Sequence, residues 1–370
     1  MTEPVMSTEP VMSTGTFVFV AHTGQVSGAE KVMLDLIDVA LERDRRVVVV
    51  CPDGPLPDRL PEGVQHVPIP PLGLSGERGL RRLAGASRLL VDWVRAGRIL
   101  RRVTRHDATT IVNSLFALPA ARVASPHDRA SWLVHDTLST GRQRAVVRLG
   151  APAIRRAVAV SEATAAPLTA MGLPTVVAHN GVRWPVPALS TELHDPPVVG
   201  ILALLTPWKG HAVLLEAVAS LPGVELEFAG GSFPGDADHV AFLHERAGRP
   251  DLAGRVRFLG HTDPQAALER WDVVVSASVT PEAGPLSVLE AMAYGKPVIG
   301  TDHGGTTEFL RGGAGILVPP SDAPALAAAI TRVLDDADLR RAMTAQARDR
   351  ISTKHDKSVT LPLMLHELSS

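Results

Sequence analysis

Glu282 and Glu290 carry the strongest chemical signal in the chain. They lie in TPEAGPLSVLE (280–290), where Pro285 is placed to open a helix over Leu286–Gly295 that is apolar on nearly every side, and so buried. Glu290 is the only charge in that helix. A buried carboxylate is costly unless it is hydrogen-bonded, and the hydroxyls of a polyol ligand are good donors. Glu282 precedes the helix beside backbone N–H groups left accessible by Gly284, so both carboxylates can face one cleft. An internally capped helix accounts for the same residues without a ligand.

Lys209 lies in Thr206-Pro207-Trp208-Lys209-Gly210, where Thr206 suits a helix N-cap and Pro207 the first helical position. A lysine in the first turn opposes the helix dipole, which a bound anion would resolve; an exposed lysine is the plainer reading. Ser27-Gly28-Ala29-Glu30 forms an S-x-x-E capping box. With Gly24 and Gly28 leaving N–H groups bare, it also makes a candidate anion site at the end of a strand. His135 ends the apolar run Ser131–Val134 and is either a donor to a ligand hydroxyl or a structural histidine. Asn180-Gly181-Val182 reads as a turn. Gly304-Gly305, with Thr306 as a cap, reads as a strand-to-helix turn whose N–H groups could bind anions. Asp236 and Asp238 have the form of a Mg²⁺-holding pair but lack a further carboxylate beside them. No P-loop, H-E-x-x-H, G-x-S-x-G or C-x-x-C motif occurs.

These segments all follow short apolar runs. The strand candidates are Phe17–Ala21, Val47–Cys51, Thr110–Asn113, Ser131–His135, Ala157–Ser161 and Val176–His179 in the first half. In the second they are Val198–Leu202, Glu225–Ala229, Val256–Leu259, Val273–Ser276, Pro297–Thr301 and Gly315–Val318. Strands alternating with helical patterns imply two doubly wound, Rossmann-like α/β domains facing across a cleft, with ligands at the carboxyl ends of the strands. The expected division is a disordered leader over 1–14, a first domain over 15–182, a proline-rich linker over 183–197 and a second domain over 198–350. An irregular tail over 351–370 completes the chain and is placed to pack back on the first domain.

The chain's 370 residues exceed the usual size of one hydrophobic core. Its formal charge of -2 and 14 aromatic residues argue against a nucleic-acid partner. Cys51 has no cysteine to pair with, and no run of about eighteen apolar residues could span a membrane. A cytoplasmic location is expected. The near-neutral total conceals a division: residues 1–190 carry 22 basic and 16 acidic side chains, and the remainder 15 and 23. Nine arginines between Arg78 and Arg105 (78, 81, 82, 88, 95, 98, 101, 102 and 105) alternate with apolar residues. They form either a solvated helical face or a basic amphipathic helix able to lie on the anionic inner face of a membrane.

The sequence resembles the retaining GT-B glycosyltransferases of family 4. In the second half the resemblance rests on PWKG (207–210), FLGH (258–261), WDVVVSAS (271–278), the Glu282/Glu290 pair, LEAMAYGKPVIGT (289–301), GG-x-x-E (304–308) and GILVPPSD (315–322). In the first half it rests on SGAE (27–30), VHD (134–136), VSEAT (160–164) and HNGV (179–182). It implies transfer of a hexose-type sugar from a nucleotide-diphosphate sugar to an acceptor without a metal cofactor, by front-face attack in which the leaving phosphate takes the acceptor proton. By the same resemblance Lys209 holds the diphosphate, Glu290 the ribose, and Glu282 the sugar hydroxyls. Gly284, Pro285 and Leu286 supply backbone contacts, Gly28 brings a helix end to the phosphate, and His135 sits by the anomeric centre. The base lies near Phe258 and Gly260. The arginine usual five residues before the lysine is here Leu204, and E-P-F-G is rearranged to Glu282-Ala283-Gly284-Pro285. These departures leave open a degenerate fold that binds a nucleotide or sugar phosphate without transfer.

Overall fold

A computed structural model describes residues 15–73, 80–104, 108–125, 127 and 129–370. The leader at 1–14 and two of the nine arginines, Arg78 and Arg105, lie outside the described residues. The first sheet comprises β1 (Thr16–Val20), β2 (Arg46–Cys51), β3 (Gln65–Pro68), β4 (Ala108–Val112), β5 (Ala130–Val134), β6 (Ile154–Ala159) and β7 (Thr175–Val177). All seven run parallel in the order β3-β2-β1-β4-β5-β6-β7. The second comprises β8 (Val198–Leu202), β9 (Glu225–Ala229), β10 (Val256–Gly260), β11 (Val273–Ser276), β12 (Val298–Thr301) and β13 (Ile316–Val318). Its parallel order is β10-β9-β8-β11-β12-β13.

Both orders reverse direction beside their first strand, at β1/β4 and at β8/β11. Crevices at the carboxyl ends of the strands open at such reversals. Each sheet is buried on both faces by its own apolar clusters, which explains the runs Val47–Val50 and Val273–Val275 that lack in-out alternation. The Gln65–Pro68 strand has no counterpart among the sequence-derived candidates. It is a sheet edge with no buried residue, so it needs no apolar run and carries none.

The proline-rich stretch 183–197 is bound by loops and a helix of the second half. Asp272 accepts from the backbone N–H of Val198 at 2.6 Å and of His194 at 3.1 Å. Lys296 donates to the Ser190 carbonyl at 2.9 Å, and Arg348 to that of Val186 at 3.0 Å.

The C-terminal segment differs from the irregular tail expected of it. After the helix Ala337–Lys354, the chain forms a second helix, Lys357–Ser369, against the first sheet. Leu361, Met364, Leu365 and Leu368 are buried there with Phe19, Met33, Leu36 and Ile37. Their i, i+3, i+4, i+7 spacing is a helix signature, masked in the sequence by Pro362 and the surrounding polar residues. The two chain crossings between the sheets lie side by side: Val182 donates to the His355 carbonyl at 2.8 Å, and Lys357 donates back to Val182 at 2.9 Å.

Candidate active site

Lys209 follows β8. Thr206 is extended, Pro207–Lys209 make a single 3-10 turn, and Gly210 adopts φ 76° before the helix His211–Ala219 begins. Lys209 therefore precedes the helix and does not lie in its first turn, which corrects the expectation drawn from Thr206 and Pro207. Gly210 imposes the break: its backbone is left-handed, and a β-carbon there would fall 1.8 Å from the Ala277 carbonyl oxygen. Lys209 Nζ sits 4.2 Å from the Trp208 ring centroid and pairs with Glu282 Oε2. The Ser278 hydroxyl donates to Glu282 Oε1. Glu282 is thus buried with its charge matched, by groups from the loops after β8 and β11 on either side of the reversal.

The backbone of the Glu282 loop is held from both sheets. Gly305 N–H donates to the Glu282 carbonyl at 2.8 Å. A β-carbon on Gly305 would lie 2.3 Å from the Ala283 oxygen, and one on Gly304 2.3 Å from the Glu282 oxygen. The glycine pair is therefore a close-approach seat for this loop, and the Gly305 N–H is occupied by it. Thr306 is not the cap: the helix is Gly304–Leu310, with His303 at its N-cap and Thr306 buried inside it. From the first half, Asn180 Nδ2 donates to the Gly284 carbonyl at 2.9 Å and Thr137 Oγ1 to that of Pro281 at 3.1 Å. Asn180 is thus more than a turn residue. Residue chemistry points to Asn180 only as part of a turn and does not single out Thr137 or Ser278. For Asn180 and Ser278 the available signal was membership of HNGV and WDVVVSAS.

Pro285 caps the helix Leu286–Ala293 in an extended conformation. Gly28 opens the helix Gly28–Glu42 opposite Leu286, whose Cδ1 would lie 3.9 Å from a β-carbon at Gly28. The capping box forms, with Glu30 Oε2 accepting from the Ser27 N–H at 3.0 Å and from its hydroxyl at 2.5 Å. Beside these elements is a cavity of about 220 Å³ whose lining includes Glu290, Lys31, Arg183, Asp263, Tyr294 and Lys357. Burial pushes the Glu290 carboxyl up to about 7; Lys31 pulls the other way without offsetting it. Glu282 and Glu290 stand in different surroundings, one ion-paired and one facing the cavity.

His135 lies immediately beyond β5. Burial pushes its imidazole down to about 4, so it is neutral at pH 7, and its Nε2 has no partner among the described residues. Asp136 beside it accepts from the Leu115 N–H at 3.3 Å, and burial pushes its carboxyl up to about 6. Phe258 packs edge-on to Phe228 at 5.2 Å and stacks on His244 at 3.8 Å, so its ring belongs to the edge of the sheet. At Gly260 the space a β-carbon would enter is open. Asp236 and Asp238 stand at the start of the helix Ala237–Ala247 and join no group of three His, Cys, Asp or Glu among the described residues.

Two family models match: Glycosyltransferase Family 4 over residues 26–183 and Glycosyl transferases group 1 over 187–350. A phosphatidyl-myo-inositol mannosyltransferase of Mycolicibacterium smegmatis is 32% identical over 353 residues, covering 90% of this chain and 87% of its own. An alpha-D-kanosaminyltransferase of Streptomyces kanamyceticus is 30% identical over 45% of this chain and 44% of its own. Among solved structures, Anabaena HepE in complex with UDP superposes with a TM-score of 0.77 at 25% identity, covering 96% of this chain and 99% of that one. With its two facing parallel sheets, its paired lysine and glutamate at the reversal of the second, and likeness along nearly its whole length, the chain belongs to the family 4 (group 1) glycosyltransferases of GT-B fold.

Proposed function

We propose that the protein is a retaining, metal-independent glycosyltransferase that moves a hexose-type sugar from a nucleotide-diphosphate sugar to a small-molecule or lipid-linked acceptor. The observation that carries this is the Lys209–Glu282 pair at the β8/β11 reversal, one side chain suited to a diphosphate and the other to sugar hydroxyls. Lys209 takes the diphosphate, assisted by the N-terminus opened by Gly28, and Glu282 takes the hydroxyls of the transferred sugar. Gly284, Pro285 and Leu286 present backbone to the sugar and diphosphate. Glu290 holds the ribose from the cavity wall, and the base lies over the open space at Gly260, beside the Phe258 backbone. A neutral His135 serves the anomeric centre as a hydrogen-bonding group. Neither glutamate is placed as a nucleophile in this scheme; the acceptor attacks from the face the diphosphate leaves, and the diphosphate takes its proton.

A UDP-bound neighbour structure supports a nucleotide donor. The test is a panel of UDP-, GDP- and dTDP-sugars assayed by calorimetry and by slow donor hydrolysis. At least one should bind and turn over, and Glu282→Ala should abolish turnover. Absence of both binding and turnover across the panel overturns the catalytic reading; binding without turnover is the outcome expected of the degenerate binder suggested by Leu204.

A membrane-peripheral form of the same enzyme is favoured by the helix Leu80–Val103. Leu90, Val91 and Val94 are exposed on it, at 57%, 49% and 36%, among Arg88, Arg95, Arg98, Arg101 and Arg102. No helix among the described residues is long and apolar enough to cross a membrane. The mannosyltransferase relative is named for a phosphatidylinositol. Sedimentation with anionic liposomes at low and physiological salt tests it; absence of salt-sensitive binding removes it.

A further inference from the structure

Glu308 belongs to the second half, yet its carboxylate caps a helix of the first. Its Oε2 accepts from the Glu162 N–H at 3.0 Å and its Oε1 from the Ala163 N–H at 2.7 Å. These are the first two N–H groups of the helix Glu162–Ala170, whose third is taken by the Ser161 hydroxyl at 3.2 Å. The donors that a helix start leaves open are therefore completed from across the cleft. This joins the segments VSEAT and GG-x-x-E, for which the proposed transfer chemistry has no role.

The helix that carries Glu308, Gly304–Leu310, also seats the Glu282 loop through the Gly305 N–H. At its other end Arg350 Nη1 donates to the Phe309 carbonyl at 2.6 Å. Gly284 is enclosed where these parts meet: a β-carbon there would stand 3.0 Å from Asn180 Nδ2, 3.3 Å from Val160 Cγ2 and 3.5 Å from Phe309 Cζ.

We propose that Glu308 is a positioning residue: its two-point clamp on residues 162 and 163 fixes the Gly304–Leu310 helix against the first sheet, and so sets where Glu282 stands relative to groups on that sheet. The assignment to transfer rests on the function proposed above; the clamp itself does not. Hydrogen exchange separates the two. In Glu308→Ala, amides 162–163 should exchange at least about tenfold faster, peptides covering 280–284 should also lose protection, and the core strands β1 and β11 should not change. Glu308→Gln, which retains one acceptor oxygen, should give an intermediate effect and guards against misfolding of the alanine variant. With a donor that turns over, kcat should fall about 10- to 100-fold in Glu308→Ala, while the KM for donor and the affinity for UDP or GDP change less than about threefold. Unchanged exchange at 162–163 and 280–284 would overturn the clamp. Faster exchange with unaltered kcat would overturn its positioning role, and a uniform loss of protection that includes the core strands would mark Glu308 as merely structural.

Discussion

The Lys209–Glu282 pair sets up a stability measurement that needs no substrate. The two side chains are 15% and 7% exposed. Changing Lys209 to methionine preserves the stem over Trp208 but leaves Glu282 buried with only the Ser278 hydroxyl beside its carboxylate. Breaking a buried pair from one side costs about 3–5 kcal/mol. Because Lys209 reaches the edge of the cleft, where water can screen the orphaned charge, about 2–3 kcal/mol is the reasoned value here. Glu282→Gln should cost less, about 1 kcal/mol, since the freed ammonium can turn toward solvent while the amide keeps the serine contact. In the double variant the carboxylate that suffered is gone, so the losses should not add. A coupling of at least about 1.5 kcal/mol is expected from urea unfolding of the four proteins at equal m-value. Additivity to within about 0.5 kcal/mol would refute the pairing. The same cycle bears on the proposed function: if Lys209 takes the diphosphate, a donor must detach it from Glu282, so Glu282→Gln should bind UDP or GDP more tightly than the parent while transferring sugar at least about a hundredfold more slowly.

Glu290, with its folded pKa raised to about 7 from an ordinary 4.5, holds its proton longer in the native state than in the unfolded chain. Its contribution is therefore complete below about pH 4.5 and is lost as pH rises toward 7, a decline on the order of 2–3 kcal/mol that Glu290→Gln should flatten in urea midpoints taken from pH 5 to 8. If Glu290 holds the ribose as proposed, the hydroxyls favour its carboxylate form and nucleotide binding near pH 6.5 should release a proton; calorimetric enthalpies that do not vary with buffer ionisation would contradict this. Gly305→Ala must displace the Ala283 carbonyl, 2.3 Å from the new methyl, and should cut turnover more than tenfold. Unimpaired turnover would show that the loop's seat does not matter. Leu204→Arg supplies a second diphosphate cation worth about 1.5–3 kcal/mol, so nucleotide-diphosphate affinity should rise about tenfold or more by calorimetry, and no gain would mean that position 204 does not face the phosphates.

How much of this was legible in the sequence depended on whether a residue's partners are near it along the chain. The twelve strand candidates each fall on an observed strand; for the interior strands this is because a strand buried on both faces must be an apolar run, whatever it pairs with, whereas the edge strands β7, β10 and β13 are only partly buried but carry short apolar runs of their own. The Ser27/Glu30 capping box was legible for the same reason, its two members being three residues apart. The misplacement of Lys209 in a helix came from a correct local rule, threonine then proline at a helix start, overridden by the contact between Gly210 and the Ala277 carbonyl. That contact spans 67 residues of sequence. Thr306 was misassigned similarly, because what Gly304 and Gly305 accommodate is the backbone at 282–284. Glu308, Asn180 and Thr137 act on backbone groups 104 to 146 residues away, and backbone leaves no trace in residue types.

The charge division of the chain acquires a physical reading at the cavity. The second half is net negative, and it contributes the carboxylates Asp263 and Glu290 to the cavity wall. Two of the cations that face them come from elsewhere in the fold: Lys31 from the helix behind β1, and Lys357 from the helix that returns to the first sheet, where it is also 3.2 Å from Asp35. Arg183 stands at the crossing between the halves. Lys31 and Arg183 belong to the basic half and Lys357, in sequence part of the acidic half, is carried to the first sheet by its helix, so bringing the sheets together juxtaposes opposite charges around the cavity, with Asp35 of the first half also in its wall. Loosening the approach at a remote point, such as the Glu308 clamp, leaves Lys209 and Glu282 in one domain and so able to keep their pairing, while it separates both from His135 on the other. Under the proposed roles the donor half and the first-sheet half of the site should therefore respond separately, and the measurements that separate them are nucleotide affinity for one and turnover for the other.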